Sequence, residues 1–550
     1  MSSFYLPNEC IQDILKYVEE KDNKTLHSAL LVNRTWCQNT VLFLWKKPFN
    51  SPPSDSQNNY KIIPILASFI DDDKKKQFKI KEKDLPVPEK TTFDYPSFIR
   101  HLDFVNLWKQ VFRCYPRNLE NIITNDKLYP LQQDEYNNKS IRKINSSSIQ
   151  DEYKVSQHKK AEVVKALYEV ILQRNRLERL TFSMKDWHYP IYNDSIFDAL
   201  TSTPNARNAL ARITRFDCNL PATNLSVLYN LSLISKKIKT LSIQIFRHVY
   251  RDGKLINLSK LIESQESLEQ INIFKDHKCN DISIDLSSLV SQSNSLKKLK
   301  LHYVNIDDEQ LEYITKLYQL KELMFTCVRL RGKMTLLTNA FFTKLKVLRI
   351  YSTFINNGNN NNLQKDNDPF VGLIRNNGSH LEDLSLEFKL GYHPKLLDTV
   401  ANHCENLITF TTYYNEDDDM PGIYNVLKKC SKIELFGIDG FANMSEKTII
   451  EFSKKIPPNV IKLDFRYDCL DMETLKVFLE NYEGRDVKYL ICNVKGEREG
   501  LIDMIEEISK IKGRRVKKCS IEREGSAEKI VNIEWLPDLD IINITKDGSS

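Results

Sequence analysis

Apolar residues in this chain recur in two alternating rhythms. The first is a short phrase: an aliphatic, two polar residues, an aliphatic, one polar residue, an aliphatic. Eleven copies start at Ile238, Leu268, Leu296, Leu320, Leu345, Leu381, Leu407, Ile433, Val460, Val487 and Val516, and successive starts lie 24 to 36 residues apart. Weaker copies precede them at Ile99, Leu119, Leu177 and Ile213. The alternation that ends each phrase predicts a strand. Between phrases the period lengthens to that of a helix. Val164, Leu167, Val170 and Ile171 share one helical face, as do Leu311, Ile314 and Leu317. Leu475, Phe478 and Leu479 repeat the arrangement, and so do Ile502, Ile505 and Ile508. The pattern predicts strand, turn, helix, turn, many times over.

That spacing resembles a leucine-rich repeat. The expected fold class is α/β, with parallel strands on a concave face and helices on a convex face. No single repeat buries its apolar face alone, so such an array stands by burial between neighbours. Nine residues into each phrase the repeat calls for Asn or Cys. Here that slot holds Phe246, Asp276, Val304, Val328, Thr353 and Lys389, and Asn415 alone matches. Cys404 and Cys430 stand three residues before a strand phrase. This is similar to the cysteine-containing subclass of leucine-rich repeats.

The first 45 residues follow a different pattern. Leu6-Pro7 precedes an apolar stripe at Ile11, Ile14, Leu15 and Val18, spaced i, i+3, i+4 and i+7. Proline suits the first turn of a helix. Glu9 and Asp13 lie near its N-terminal end, where the helix dipole favours negative charge. Asp22-Asn23-Lys24 signals a turn, and a second helix follows with Leu26, Ala29, Leu30 and Val32 inward. Then come Val32-Asn33-Arg34-Thr35-Trp36 and a closing group of Leu42, Leu44 and Trp45. A ~45-residue helical chain is marginal without a partner. The surplus of apolar residues points to docking in a groove.

The combination of Leu-Pro, Val-Asn-Arg-x-Trp and Leu-Trp resembles an F-box. Cys10 departs from the family pattern, standing where a larger aliphatic is usual, but cysteine behaves as a small hydrophobe. The resemblance implies a substrate receptor of an SCF-type cullin–RING ubiquitin ligase. It implies that Leu6, Pro7, Ile11, Ile14, Leu15, Val32, Asn33, Trp36 and Trp45 build the module that meets a Skp adaptor. Through that adaptor the chain would reach cullin and RING subunits. The repeats would hold a protein target. The competing reading is an interaction scaffold whose N-terminal helices only cap the array.

The domains read as an F-box over 1–48, a linker with one short helix near Ile62–Ile70 over 49–95, the repeat array over 96–525, and a C-terminal cap and tail over 526–550. Polar insertions fall near 125–158 and 356–368. Asp71 to Lys76 reads as a solvated turn. Beyond 525, Ile530, Ile533, Trp535 and Leu536 are candidates for a closing strand or a C-terminal cap.

Composition narrows the function further. The 79 basic and 73 acidic residues leave a formal net charge of +6, a near-balanced surface with no sign of nucleic-acid binding. No N-terminal run resembles a signal peptide, and no apolar stretch approaches the ~18 residues that cross a bilayer. The eleven cysteines form no C-x-x-C pair and read as reduced thiols of a cytoplasmic or nuclear protein. No metal-ligand spacing, phosphate loop or nucleophile turn occurs. No cofactor and no catalysis are expected. The candidate target-binding residues are those at outward strand positions: Lys298, Lys300, His302 and Arg349 as a basic sector, Asp383 and Glu387 as an acidic one, and Tyr351 and Tyr413 as aromatic anchors. The basic sector suits an acidic or phosphorylated segment.

Overall fold

The computed structural model describes residues 6–19, 23–49, 62–77, 91–114, 147–174, 176–183, 203, 205–221, 226–246, 256–276, 284–332, 334–356, 368–387, 394–482, 488–495, 498–511, 516–524 and 528–535. The chain divides into two compact units, Met1–Leu268 and Glu269–Ser550.

The first unit opens with three helices, α1 (Asn8–Glu19), α2 (Asn23–Ala29) and α3 (Arg34–Lys46). Ile11, Leu15, Leu26 and Ala29 form their core, with Val18, Trp36, Phe43 and Leu44 packed against it. The helix at Ile62–Ala67 agrees with the expected short linker helix. The charge block behind it is no solvated turn: Asp72–Gln77 is helical. Its acidic residues lie at the N-terminus and its lysines at the C-terminus, which complements the dipole. Lys75 pairs with Asp72 at 3.0 Å, and Lys74 reaches Glu169 at 2.6 Å. Glu169 lies on the 28-residue helix Ser147–Arg174, which also takes up the end of the polar stretch expected over 125–158. Residues 125–146, the weak phrase at Leu119 and most of the 356–368 insertion lie outside the described residues.

Four strands complete this unit: β1 (His101–Asp103), β2 (Arg179–Ser183), β3 (Arg215–Pro221) and β4 (Thr240–Phe246). They pair in parallel, with Leu102, Leu180, Phe216 and Leu241 in one register row. All four of these side chains are buried, as the phrase pattern requires.

The second unit repeats the same motif. Its strands are β5 (Gln270–Lys275), β6 (Lys298–His302), β7 (Asn305–Ile306), β8 (Glu322–Thr326), β9 (Arg329–Arg331), β10 (Val347–Tyr351), β11 (Phe354–Asn356), β12 (Asp383–Glu387), β13 (Thr409–Tyr413), β14 (Leu435–Asp439), β15 (Lys462–Leu470) and β16 (Tyr489–Lys495). Strands β5, β6, β8, β10, β12, β13, β14, β15 and β16 form one parallel sheet, and β7, β9 and β11 a small second one. Helices such as Met420–Lys429, Glu446–Lys455 and Met472–Asn481 alternate with the strands. Toward the C-terminus the core is aromatic: Phe441 stacks on Phe465 at 4.3 Å, and Phe478 meets Phe465 edge-on at 5.3 Å. The fold is of leucine-rich-repeat type.

One phrase is not a further parallel repeat. The Val516 segment is β17 (Val516–Glu524), and β18 (Glu528–Trp535) lies between it and β16. β18 runs antiparallel to both. The expected closing strand thus takes the place beside β16 that a new parallel strand would have occupied. It leaves β17 at the edge.

The missing Asn ladder has a backbone substitute. Tyr303, Cys327 and Ser352 each follow a strand in the left-handed region, at φ of 56°, 51° and 44°. Their N–H groups donate to the last carbonyl of the next main-sheet strand: Thr326 at 2.8 Å, Tyr351 at 2.7 Å and Glu387 at 2.7 Å. The slot residues Val304 and Val328 are freed to fill the core. At the helix C-termini buried amides do similar work. Gln265 accepts from the Ile238 N–H at 3.0 Å and donates to the Ser235 carbonyl at 2.9 Å.

Candidate functional site

The three-helix module has two apolar sides. On α1, Ile11, Leu15 and Val18 face the internal core. Cys10, Ile14 and Tyr17, at i, i+4 and i+7, lie on another face and are exposed. The turn after α2 adds Leu31 at 87% exposure and Val32 at 59%. Leu6, Pro7 and Leu42 are exposed as well. Of the fourteen large exposed hydrophobics among the described residues, six fall between Leu6 and Leu42. Single exposed aliphatics are ordinary, whereas six within one short module are a local concentration.

The structure therefore sorts the adaptor-facing residues read from the sequence. Leu6, Pro7, Ile14 and Val32 are exposed. Ile11 and Leu15 are internal core. Asn33 caps α3, its side chain accepting from the Trp36 N–H at 3.0 Å. Trp36 is half-buried against the module core. Trp45 packs on Tyr95, ring centroids 4.4 Å apart, so it binds the module to the segment behind it. Tyr17 and Leu31 were missed. The signal for Leu31 was present in the run Leu30-Leu31-Val32, because three consecutive aliphatics at a helix end cannot all turn inward.

The join behind Trp45 is specific. The Arg100 N–H donates to the Lys46 carbonyl at 3.0 Å, and Asn106 Nδ2 to the Phe49 carbonyl at 3.0 Å. Glu19 pairs with Lys47 at 3.2 Å, tying the end of α1 to the end of α3. Beside the join, burial pulls His101 down to about 4, and Lys46 and Arg179 add to the effect. Burial pushes Asp103 up to about 6 against the opposing hydrogen bonds from Asn106. The Asp103 carboxylate accepts from the Asn106 N–H at 2.9 Å and so caps the helix Phe104–Cys114.

Asp103 makes stability depend on pH. Its folded pKa lies above its unfolded value, so its contribution is full below about pH 4 and is lost as pH rises through about 6. Asp103→Asn keeps a capping oxygen and removes the buried charge. The variant should be more stable than wild type by about 1 kcal/mol near pH 7.5, the gap closing toward pH 4. Urea midpoints across that range check it, and a gap that does not vary with pH would refute the assignment.

On the open face of the second unit, the candidate target-binding residues all lie at outward strand positions. Their charges are not free as a basic sector. Lys298 and Lys300 both reach Glu322, at 3.1 and 2.6 Å. Burial works to raise Glu322, yet these lysines hold it below the usual carboxylate range. Arg349 forms a two-bonded pair with Asp383, at 2.5 and 3.3 Å, and that bond raises its pKa. His302 packs against Phe274, centroids 5.7 Å apart, and burial and Lys300 favour its neutral form. Neighbouring strands thus pair their charges, two lysines sharing one glutamate and one arginine meeting one aspartate, a pairing the linear pattern does not reveal. Tyr351, Glu387 and Tyr413 end three successive main-sheet strands, β10, β12 and β13.

The acidic run before Met420 is a capped turn. Asp419 accepts from the Asn415 and Glu416 N–H groups, and Asp417 accepts from the Tyr414 hydroxyl at 2.7 Å. Among the described residues no three His, Cys, Asp or Glu side chains gather as a metal site. No helix there is long and apolar enough to cross a membrane.

The chain matches no protein-family model and no curated protein. Among solved structures it is similar to one of the Rad7 and Elc1 complex in yeast, at 12% identity and a TM-score of 0.30 over 60% of this chain and 94% of that one. It is also similar to the leucine-rich repeat-containing protein LegL7 from Legionella pneumophila, at 9% identity and a TM-score of 0.26 over 62% of this chain and 91% of that one. The chain has a fold of leucine-rich-repeat type, by the strand, turn and helix that recur through both of its units, and it carries a three-helix module before them.

Proposed function

We propose that the chain is the substrate-recognition subunit of an SCF-type ubiquitin ligase. The F-box-like module docks a Skp adaptor through the α1 face of Cys10, Ile14 and Tyr17 and the Leu31–Val32 turn. The repeats hold a protein target. The observation that carries this reading is the concentration of exposed aliphatics on helices that already possess a complete core of their own. The chain performs no bond chemistry in this role. It raises the effective concentration of target lysines near a transferring thioester held by its partners.

The capping reading has support as well, because Trp45, Lys46 and Phe49 fasten the module to the first repeat. The two roles use different surfaces: α3 and its C-terminal extension make the join, and α1 with the Leu31 turn stays open. Pull-down with a purified Skp adaptor separates them. The full chain should capture the adaptor and the chain lacking residues 1–48 should not. Failure of the full chain to capture it leaves only the cap.

A further inference from the structure

We infer that Arg176 and Arg212, with Lys237 on the next repeat, hold the carboxylates of an acidic protein segment laid across the starts of β2, β3 and β4. This surface belongs to the first unit, and its role rests on the reading of the repeats as the part that holds a protein target.

One carboxylate of the chain already shows how such a group is held. Arg179 and Arg215 are register partners on β2 and β3. Asp217 accepts from both: from Arg179 Nε at 2.7 Å, and from Arg215 through Nε at 3.0 Å and a terminal nitrogen at 3.2 Å. Arg176 and Arg212 stand three residues before Arg179 and Arg215, on the same two repeats, each directly ahead of the phrase's first aliphatic. Both are exposed, and neither side chain has a hydrogen bond or ion pair among the described residues. The two repeats thus present a second arginine pair, without a carboxylate of the chain. Guanidinium groups bind carboxylates through paired N–H donors.

The surroundings favour an anion. Residues 176–179, 211–215 and 235–240 lead into β2, β3 and β4, and the backbone holds them side by side. The Thr214 N–H donates to the Glu178 carbonyl at 2.9 Å, and the Lys239 N–H to the Thr214 carbonyl at 2.7 Å. These three segments carry four arginines and three lysines against one acid, Glu178. With Asp217 added, seven cations stand against two carboxylates. Lys237 is exposed and unpaired among the described residues, like the two arginines. The positive field reaches the join with the module: burial first, then Lys46, Arg179 and Lys47, keep the His101 imidazole neutral, with Glu19 opposing.

The strip is short and bounded. Adjacent strands lie about 4.8 Å apart, so three repeats span about 10 Å, the reach of about three extended residues. On the next repeat the sign reverses at Glu266, whose N–H donates to the Lys236 carbonyl at 2.9 Å. A nucleic-acid backbone carries a charge at every step and would meet the exposed Glu178 as well as the arginines. A protein segment places its carboxylates singly, and its own N–H groups can face Glu178. Acidic residues within about three positions of one another therefore fit the strip, and a protein segment is favoured over a nucleic acid.

Fluorescence anisotropy of the full chain with labelled probes tests this. The probes are a short peptide bearing a run of glutamates, the same peptide with glutamines, and a single-stranded oligonucleotide of equal charge. The glutamate peptide should bind, and the glutamine peptide at least about tenfold more weakly. Binding should weaken as salt is raised. Arg176→Glu combined with Arg212→Glu should abolish it with an unchanged melting transition, because neither side chain bonds to the fold. Lys428→Glu combined with Lys454→Glu makes the same change of charge on exposed residues of the second unit and should leave binding at wild-type strength. Absence of binding by the glutamate peptide, equal binding by the glutamine peptide, undiminished binding by the arginine variant, an equal loss in the lysine variant, or tighter binding of the oligonucleotide would overturn the inference. Adaptor capture by the same preparations is read separately, so loss of that capture alone counts against the ligase reading and leaves the arginine pair standing.

Discussion

Ile14→Asp combined with Leu31→Asp should abolish capture of a Skp adaptor and leave the fold intact. Both side chains are largely exposed, and neither belongs to the module core. Surface changes of this kind ordinarily shift stability by no more than about 0.5 kcal/mol. At an interface each aspartate would have to be desolvated against an apolar groove. Two such central residues account for about 4 kcal/mol or more, a loss of about a thousandfold in affinity. Ile11→Asp is the contrasting variant. It buries a charge within the three-helix core and should lose both helicity and capture. Capture by the double variant at wild-type strength would remove the docking face from consideration, because no more exposed aliphatic of the module would remain than Val32.

Much of the fold was legible because a repeat states its rule many times. Leu299, Leu323, Leu348 and Leu384 are buried in register, and the phrase places each of them correctly. The interstrand partners were not legible, because sequence neighbours of Lys298 do not include Glu322. Nor was the hairpin of β17 and β18, whose first strand carries the same phrase as a parallel one. The helix Asp72–Gln77 escaped because six charged and polar residues show no apolar period. Its stability comes from charge order and from Lys74 on Glu169. At the N-terminus one apolar stripe was evident, but helical spacing alone did not divide core from docking face. Ile14 and Leu15 are adjacent in sequence and about 100° apart on the helix, and only packing shows which of them turns outward.

Asn377→Leu should cost about 3 kcal/mol or more of stability. Asn377 is fully buried at the end of the helix Pro369–Asn377. Its Oδ1 accepts from the Phe342 N–H at 2.7 Å, and its Nδ2 donates to the Ala340 carbonyl at 2.9 Å. Leucine fills the space, so the cost is not a cavity. It comes from a backbone donor and a backbone acceptor stranded in the interior, each worth about 1 to 3 kcal/mol. Gln265 plays the same part in the first unit, where Gln265→Leu would strand the Ile238 N–H and the Ser235 carbonyl. Because each repeat leans chiefly on its neighbours, the damage should be local before it is global. Hydrogen exchange should show the Phe342 amide losing protection in Asn377→Leu while the Ile238 amide keeps it, and Gln265→Leu should show the reverse. A urea midpoint equal to wild type in both variants would mean that these amides do not replace the absent Asn ladder.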